Sequence, residues 1–145
     1  MDKQKSVFDK LGLVFSIIIP IVYVTAIFAF YYMYKFLVNN KPDDPNESWN
    51  WLVVIAFSIV MIELVVLCAW TIVSIIGISS YKKEKPSTMF MVNAIAFTAI
   101  NCFWTYYCMM VWTYYNVGIL VAALAMLGFA VSNLIVQIKR NKLFA

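Results

Sequence analysis

Four long, nearly unbroken apolar stretches alternate along the chain with short polar ones. The first runs from Leu11 to about Val38, the second from Trp51 to about Ser79, the third from roughly Met89 to Trp112 and the fourth from Asn116 to about Ile138. Each supplies the roughly 20 apolar residues that a helix needs to cross a hydrocarbon core about 30 Å thick. The pattern predicts an all-α, polytopic membrane protein: a four-transmembrane-helix bundle occupying residues 1–145 as a single membrane domain, with spans at about 11–38, 51–79, 89–112 and 116–138.

The connections are as legible as the spans. Residues 39–50 carry Pro42 and Pro45 among Asn and Asp, which is loop chemistry, and Trp49 and Trp51 mark the return to the membrane interface. Residues 80–88 contain Tyr81-Lys82-Lys83-Glu84-Lys85-Pro86, a short basic turn, and residues 113–115 are so few that spans three and four must form an antiparallel hairpin. Pro20, inside the first span, is expected to kink it. Phe103, Trp104, Tyr106, Tyr107 and Trp112 crowd one end of the third span, as interfacial aromatics do.

Charge then sets the orientation. Lys3, Lys5 and Lys10 precede the first span, Lys82, Lys83 and Lys85 fill the middle loop, and Lys139, Arg140 and Lys142 follow the last span. The outer loops, 39–50 and 113–115, hold only Lys41 against Asp43, Asp44 and Glu47. The positive-inside bias therefore predicts both termini and the 80–88 loop on the cytoplasmic side, N-in and C-in. In a bacterium the host bilayer is the cytoplasmic membrane. A cleaved signal peptide is the competing reading of the first span, but the apolar run is about twice the usual length and has no clear A-x-A site. Asn46-Glu47-Ser48 matches a glycosylation sequon so close to the bilayer that it is read as chance.

Composition narrows the function. Of 145 residues, 64% are hydrophobic and 12% charged, and the mean hydropathy is +0.85, so lipid is the solvent and no polar stretch is long enough for an extramembrane catalytic domain. The net charge of +4 sits at span ends, where it meets anionic headgroups rather than nucleic acid. Histidine is absent, and Cys68, Cys102 and Cys108 lie singly within apolar runs, so neither a metal nor a cofactor is expected. No nucleophile has a base to activate it, and the chain is not expected to be an enzyme.

Glu63 is the one acid inside a span. It lies near mid-membrane, where a carboxylate costs at least about 2.5–3.5 kcal/mol unless protonated, paired or wetted. Either it is a proton or cation site, or it is a protonated hydrogen-bonding link between helices. By depth its expected partners are Asn101, Tyr23 and Thr25, with Trp70 two turns along the same face as a pocket wall. Lys35 is expected to snorkel outward.

Small and polar residues mark the helix-packing faces. In the third span Ala94, Thr98, Asn101, Thr105 and Cys108 share a face, and in the fourth Gly118, Ala122, Ala125, Gly128 and Ser132 do so. Asn93 and Asn133 are candidates for a mutual hydrogen bond. In size and in its lone intramembrane acid the chain resembles the small multidrug exporters. Those are shorter and carry the acid in the first span, so their activity is not implied.

Two functions remain. One is a non-catalytic accessory, immunity-type or scaffold subunit that docks onto itself or a larger membrane-protein partner. The other is a small oligomeric carrier or channel, at least dimeric, that uses Glu63 for a proton or cation.

Overall fold

The computed structural model describes residues 3–39, 47–111 and 117–145. It is all-α, with four helices: α1 Lys3–Asn39, α2 Glu47–Ser79, α3 Thr88–Val111 and α4 Val117–Phe144. Each holds a stretch long and apolar enough to cross a membrane. Two of them extend well past the apolar runs. α1 begins at Lys3 and α4 continues to Phe144, so the polar flanks that look like tails in the sequence are further helical turns. Those turns carry the polar chemistry described below. The 113–115 connection lies outside the described residues, as does most of the 39–50 loop.

The chain forms two compact units. One comprises residues 1–19 and 74–145, the other residues 20–73. The division falls within α1, immediately before Pro20, and α1 remains helical across it.

In the first unit α3 and α4 pack over a seam of aromatic and very small residues. Ala94, Phe97 and Ala130 are fully enclosed. Phe129 takes Phe97 edge-on at 6.0 Å and Phe15 of α1 edge-on at 5.3 Å. The small residues bring the backbones close enough for α3 hydroxyls to reach α4 carbonyls, Thr98 to Ala130 at 3.3 Å and Thr105 to Ala123 at 3.4 Å. The end of α2 joins the unit where the Ser74 hydroxyl donates to Asn93 Oδ1 at 2.9 Å.

The turn between α2 and α3 is tightly specified. The Ser80 and Tyr81 amides close the end of α2 on the Ile76 and Ile78 carbonyls. Glu84 takes φ of 61°, the left-handed conformation that a non-glycine residue adopts only at some cost. Ser87 then caps α3, its hydroxyl accepting from the Phe90 amide three residues on, and Pro86 ahead of it keeps the chain extended until the cap.

In the second unit Tyr34 of α1 meets Phe57 of α2 at 5.1 Å, and Lys35 Nζ stands 5.1 Å from the Tyr31 ring. Thr25, Ser58 and Thr71 each return their hydroxyl to the carbonyl one turn back, so none of these polar groups is left for lipid to solvate.

Candidate functional site

The densest polar chemistry lies at the lysine-rich end of the first unit, where the extra turns of α1 and α4 meet the α2–α3 turn. On α4, Asn133, Gln137 and Arg140 follow at steps of four and three, on one face. On α1, Asp9, Gly12 and Ser16 share a face at steps of three and four. The two faces are pressed together: Arg140, Gln137 and Asn133 are fully buried and Asp9 nearly so.

Arg140 is the hub. Its Nη2 donates to Asp9 Oδ1 at 2.8 Å and to the Lys82 carbonyl at 3.3 Å, while Nε reaches the same carboxylate oxygen at 3.2 Å. The rings of Tyr81, Phe90 and Phe144 surround the guanidinium at 5.3–5.6 Å from their centroids, and Tyr81 and Phe90 stack on each other at 5.7 Å. A guanidinium is weakly hydrated and planar, which suits an aromatic cage that lysine would fill poorly. Asp9 is held from two further sides, by the Tyr81 hydroxyl donating to Oδ2 and by the Glu84 amide at 3.4 Å from Oδ1.

One turn deeper, Gln137 Nε2 donates to the Gly12 carbonyl at 2.9 Å, with Ser16 Oγ at 3.3 Å and Asn133 Oδ1 at 3.4 Å. Gly12 is what permits this approach. A Cβ there would stand 2.7 Å from Arg140 Cδ. At the rim, Ser87 and Asn141 exchange two hydrogen bonds, backbone amide to Oδ1 at 3.1 Å and Nδ2 to backbone carbonyl at 3.3 Å.

The Tyr81 phenol lies above its ordinary value, through burial and through the Asp9 carboxylate that accepts its proton and repels the phenolate. The folded chain therefore holds this proton more tightly than the unfolded chain does. The associated stability is complete below about pH 10, the ordinary tyrosine value, and is lost as pH rises through the folded value. Tyr81→Phe, which keeps the ring stack, is expected to cost about 1–2 kcal/mol at neutral pH. It should also flatten the alkaline fall in a stability-versus-pH titration.

The residues expected to hold an ion do not gather there. Glu63 is half-buried on α2, on the side that carries the buried Val60 and Leu67. Counting from the Tyr34–Phe57 contact, it is level with Phe28, while Tyr23 lies five residues further along α1, about 7.5 Å away and level with Cys68. Tyr23 is buried at its own level, and Trp70 is half-buried on α2. Lys35 is level with Ala56, two turns toward the other end of α2. Asn101 belongs to the first unit, where its amide donates to the Phe97 carbonyl at 2.8 Å. Within the second unit no described side chain hydrogen-bonds to Glu63. Among the described residues no three His, Cys, Asp or Glu side chains form a metal-ligating group.

The packing candidates divide. Asn93 pairs with Ser74 and Asn133 with Gln137, in place of the mutual bond expected of them. Thr98 lies in the α3–α4 seam. Gly118, Ala122, Gly128 and Ser132, by contrast, are exposed, with Ala125 on the same side, and among the described residues nothing comes within 4 Å of a Cβ built on Gly128. α4 packs on α3 through Ala123 and Ala130 instead, because aromatic Phe97 and Phe129 need the smallest partners beside them.

Sequence reasoning missed Asp9, Gly12, Tyr81, Gln137 and Arg140. Their signal was the helical spacing of Asn133, Gln137 and Arg140, which the basic character of residues 139–142 concealed. No family model, curated protein or solved structure matches the chain.

Proposed function

We propose that this chain is a multi-pass membrane protein, N-in and C-in, that acts as a non-catalytic docking subunit of a membrane complex, formed with itself or with a larger membrane partner. The observation that carries the reading is the exposed small-residue face of α4, Gly118, Ala122, Ala125, Gly128 and Ser132. Lipid-facing helix surfaces favour bulky aliphatic side chains. Small residues there let another helix approach to backbone contact, which is how helices associate when water does not drive them together. The Ser132 hydroxyl is already returned to the Gly128 carbonyl at 2.8 Å, so the face is smooth and needs no hydrogen bond from its partner.

Gly128→Leu tests the reading cleanly. The site is open, so the folded chain should tolerate the leucine to within about 0.5 kcal/mol. Association, read by energy transfer between labelled chains in bilayers and by recovery of a cross-linked partner from native membranes, should fall at least about tenfold, or 1.4 kcal/mol. Unchanged association in both assays refutes docking through α4.

A carrier is the second reading, favoured by Glu63 having no hydrogen-bond partner among the described residues of its own unit at mid-span. Glu63→Gln in liposomes separates the two. Proton or cation flux that the wild type supports and the variant loses favours the carrier, whereas equal silence with retained association favours the subunit.

A further inference from the structure

Three polar atoms in the seam between α1 and α4 are enclosed and have no hydrogen-bond partner among the described residues: Asn133 Nδ2, Gln137 Oε1 and Arg140 Nη1. All three belong to residues with no exposed surface, and they follow one another along a single face of α4. We infer that this seam is an internal hydration site, in which ordered water bridges Asn133 to Gln137 and Gln137 to Arg140.

The chemistry selects the ligand. The open valences read donor, acceptor, donor from Asn133 to Arg140. Water matches that order by accepting from each donor and donating twice to the Gln137 carbonyl oxygen, which has two lone pairs. An ion does not match. Arg140 is already neutralised by Asp9 at 2.8 Å, so an anion would bring an uncompensated charge, and a cation would meet a guanidinium. The spacing suits single-water bridges, since residues three and four apart on a helix have their Cβ atoms about 5–6 Å apart.

The amide orientation is not arbitrary either. Gln137 Nε2 faces the Gly12 carbonyl at 2.9 Å, which can only accept, so the other terminal atom, beside the Gly12 Cα, is the oxygen Oε1. Asn133 Oδ1 accepts from that same Nε2, which leaves its Nδ2 open.

Access is short. The amide of Glu84 contacts Asp9, and Phe144 covers Arg140. Both residues line an open pocket of about 230 Å³ at the lysine-rich end, together with Lys5 and Leu143. Water is expected to enter from that end, past Phe144, and to stop at Asn133, below the apolar layer of Phe97, Ala130 and Phe129. The site lies wholly between α1 and α4 and does not depend on a docking partner.

Water-edited solid-state NMR of the full chain in bilayers reads this directly, as the rate at which polarisation passes from water to each amide. The Asn133 and Gln137 side-chain amides should polarise as fast as the Ser87 backbone amide and the Asn141 side-chain amide at the rim, although Asn133 is about two turns deeper. Transfer as slow as at the backbone amides of Ala94 and Ala130 overturns the inference. Gln137→Met removes the central acceptor while keeping helix propensity and volume. In that variant, once circular dichroism shows the helices intact, fast transfer to Asn133 should be lost; its persistence would mean that Gln137 holds no bridge. If the methionine variant does not fold, Asn133→Ala in place of it should leave fast transfer to the Gln137 amide, which keeps its water bridge to Arg140, and transfer there as slow as at the Ala94 and Ala130 backbone amides overturns the inference equally.

Discussion

Asp9→Leu is expected to cost about 3–5 kcal/mol, the largest loss from any single substitution in this chain. The substitution leaves Arg140 fully buried with its charge uncompensated, and among the described residues only neutral oxygens, the Lys82 carbonyl and the Tyr81 hydroxyl, still face the guanidinium. Attraction between the two ions is not the source of the effect, because burying both costs roughly what their pairing returns. The damage comes from leaving one alone. Two consequences follow. Arg140→Met on its own should be milder, since Asp9 retains the Tyr81 hydroxyl and the Glu84 amide. The double variant Asp9→Leu with Arg140→Met should recover most of the stability lost in Asp9→Leu, as apolar replacements fill the aromatic cage of Tyr81, Phe90 and Phe144. Reversible unfolding in mixed micelles, or steric trapping in bicelles, measures all three. A double variant no more stable than Asp9→Leu would show that the cage requires a cation and not merely volume.

Gly12→Val is expected to be the next most damaging, at about 2–3 kcal/mol, with Gly12→Ala nearer 1–2 kcal/mol. A Cβ at this position meets Arg140 Cδ at 2.7 Å and crowds Nε and Gln137 Oε1, both at 3.4 Å. Long side chains usually swing clear of such a contact. Arg140 is pinned at its far end by Asp9, Lys82 and three rings, so its stem has nowhere to go, and α1 must move away from α4 instead. The mechanism has a signature: the cost of Gly12→Ala should shrink when Arg140 is methionine, with a coupling of about 0.5–3 kcal/mol in the double-variant cycle. Additive effects would place the strain elsewhere. Gly128, whose surroundings are open, provides the internal contrast, because glycine is used there for a face and here for a close approach.

The lysine-rich end also shows how charge is divided once the chain folds. In the sequence Lys139, Arg140 and Lys142 form one basic segment, and all count alike toward orientation. In the structure Lys139 and Lys142 are exposed, whereas Arg140 is withdrawn into the protein and cancelled by Asp9. The lysines remain at the surface because an ammonium is strongly hydrated, while the guanidinium gives up its water more readily for a planar aromatic and carboxylate environment.

Four apolar helices were legible from hydropathy alone, because the physical rule behind them is local: a segment of sufficient length and greasiness must become a helix wherever lipid replaces water. The basic turn at residues 80–88 was local in the same way, readable from its lysines and Pro86, whereas the Ser87 cap at its end was not read there. The partnerships were not. Asp9 and Arg140 are 131 residues apart, and although the spacing of Asn133, Gln137 and Arg140 marks a polar face on α4, it does not say what meets that face. The α4 face that packs and the α4 face that stays open both carry small residues, and only the docking of Phe97 and Phe129 against Ala130 decided which is which. Glu63 is the opposite case: its depth was evident from counting residues, yet its level with Phe28 rather than Tyr23 depended on the register set by one aromatic contact in space. Length, greasiness and charge bias act through the solvent and belong to the chain as written, whereas pairing and burial depend on which helix faces meet, and that choice exists only in three dimensions.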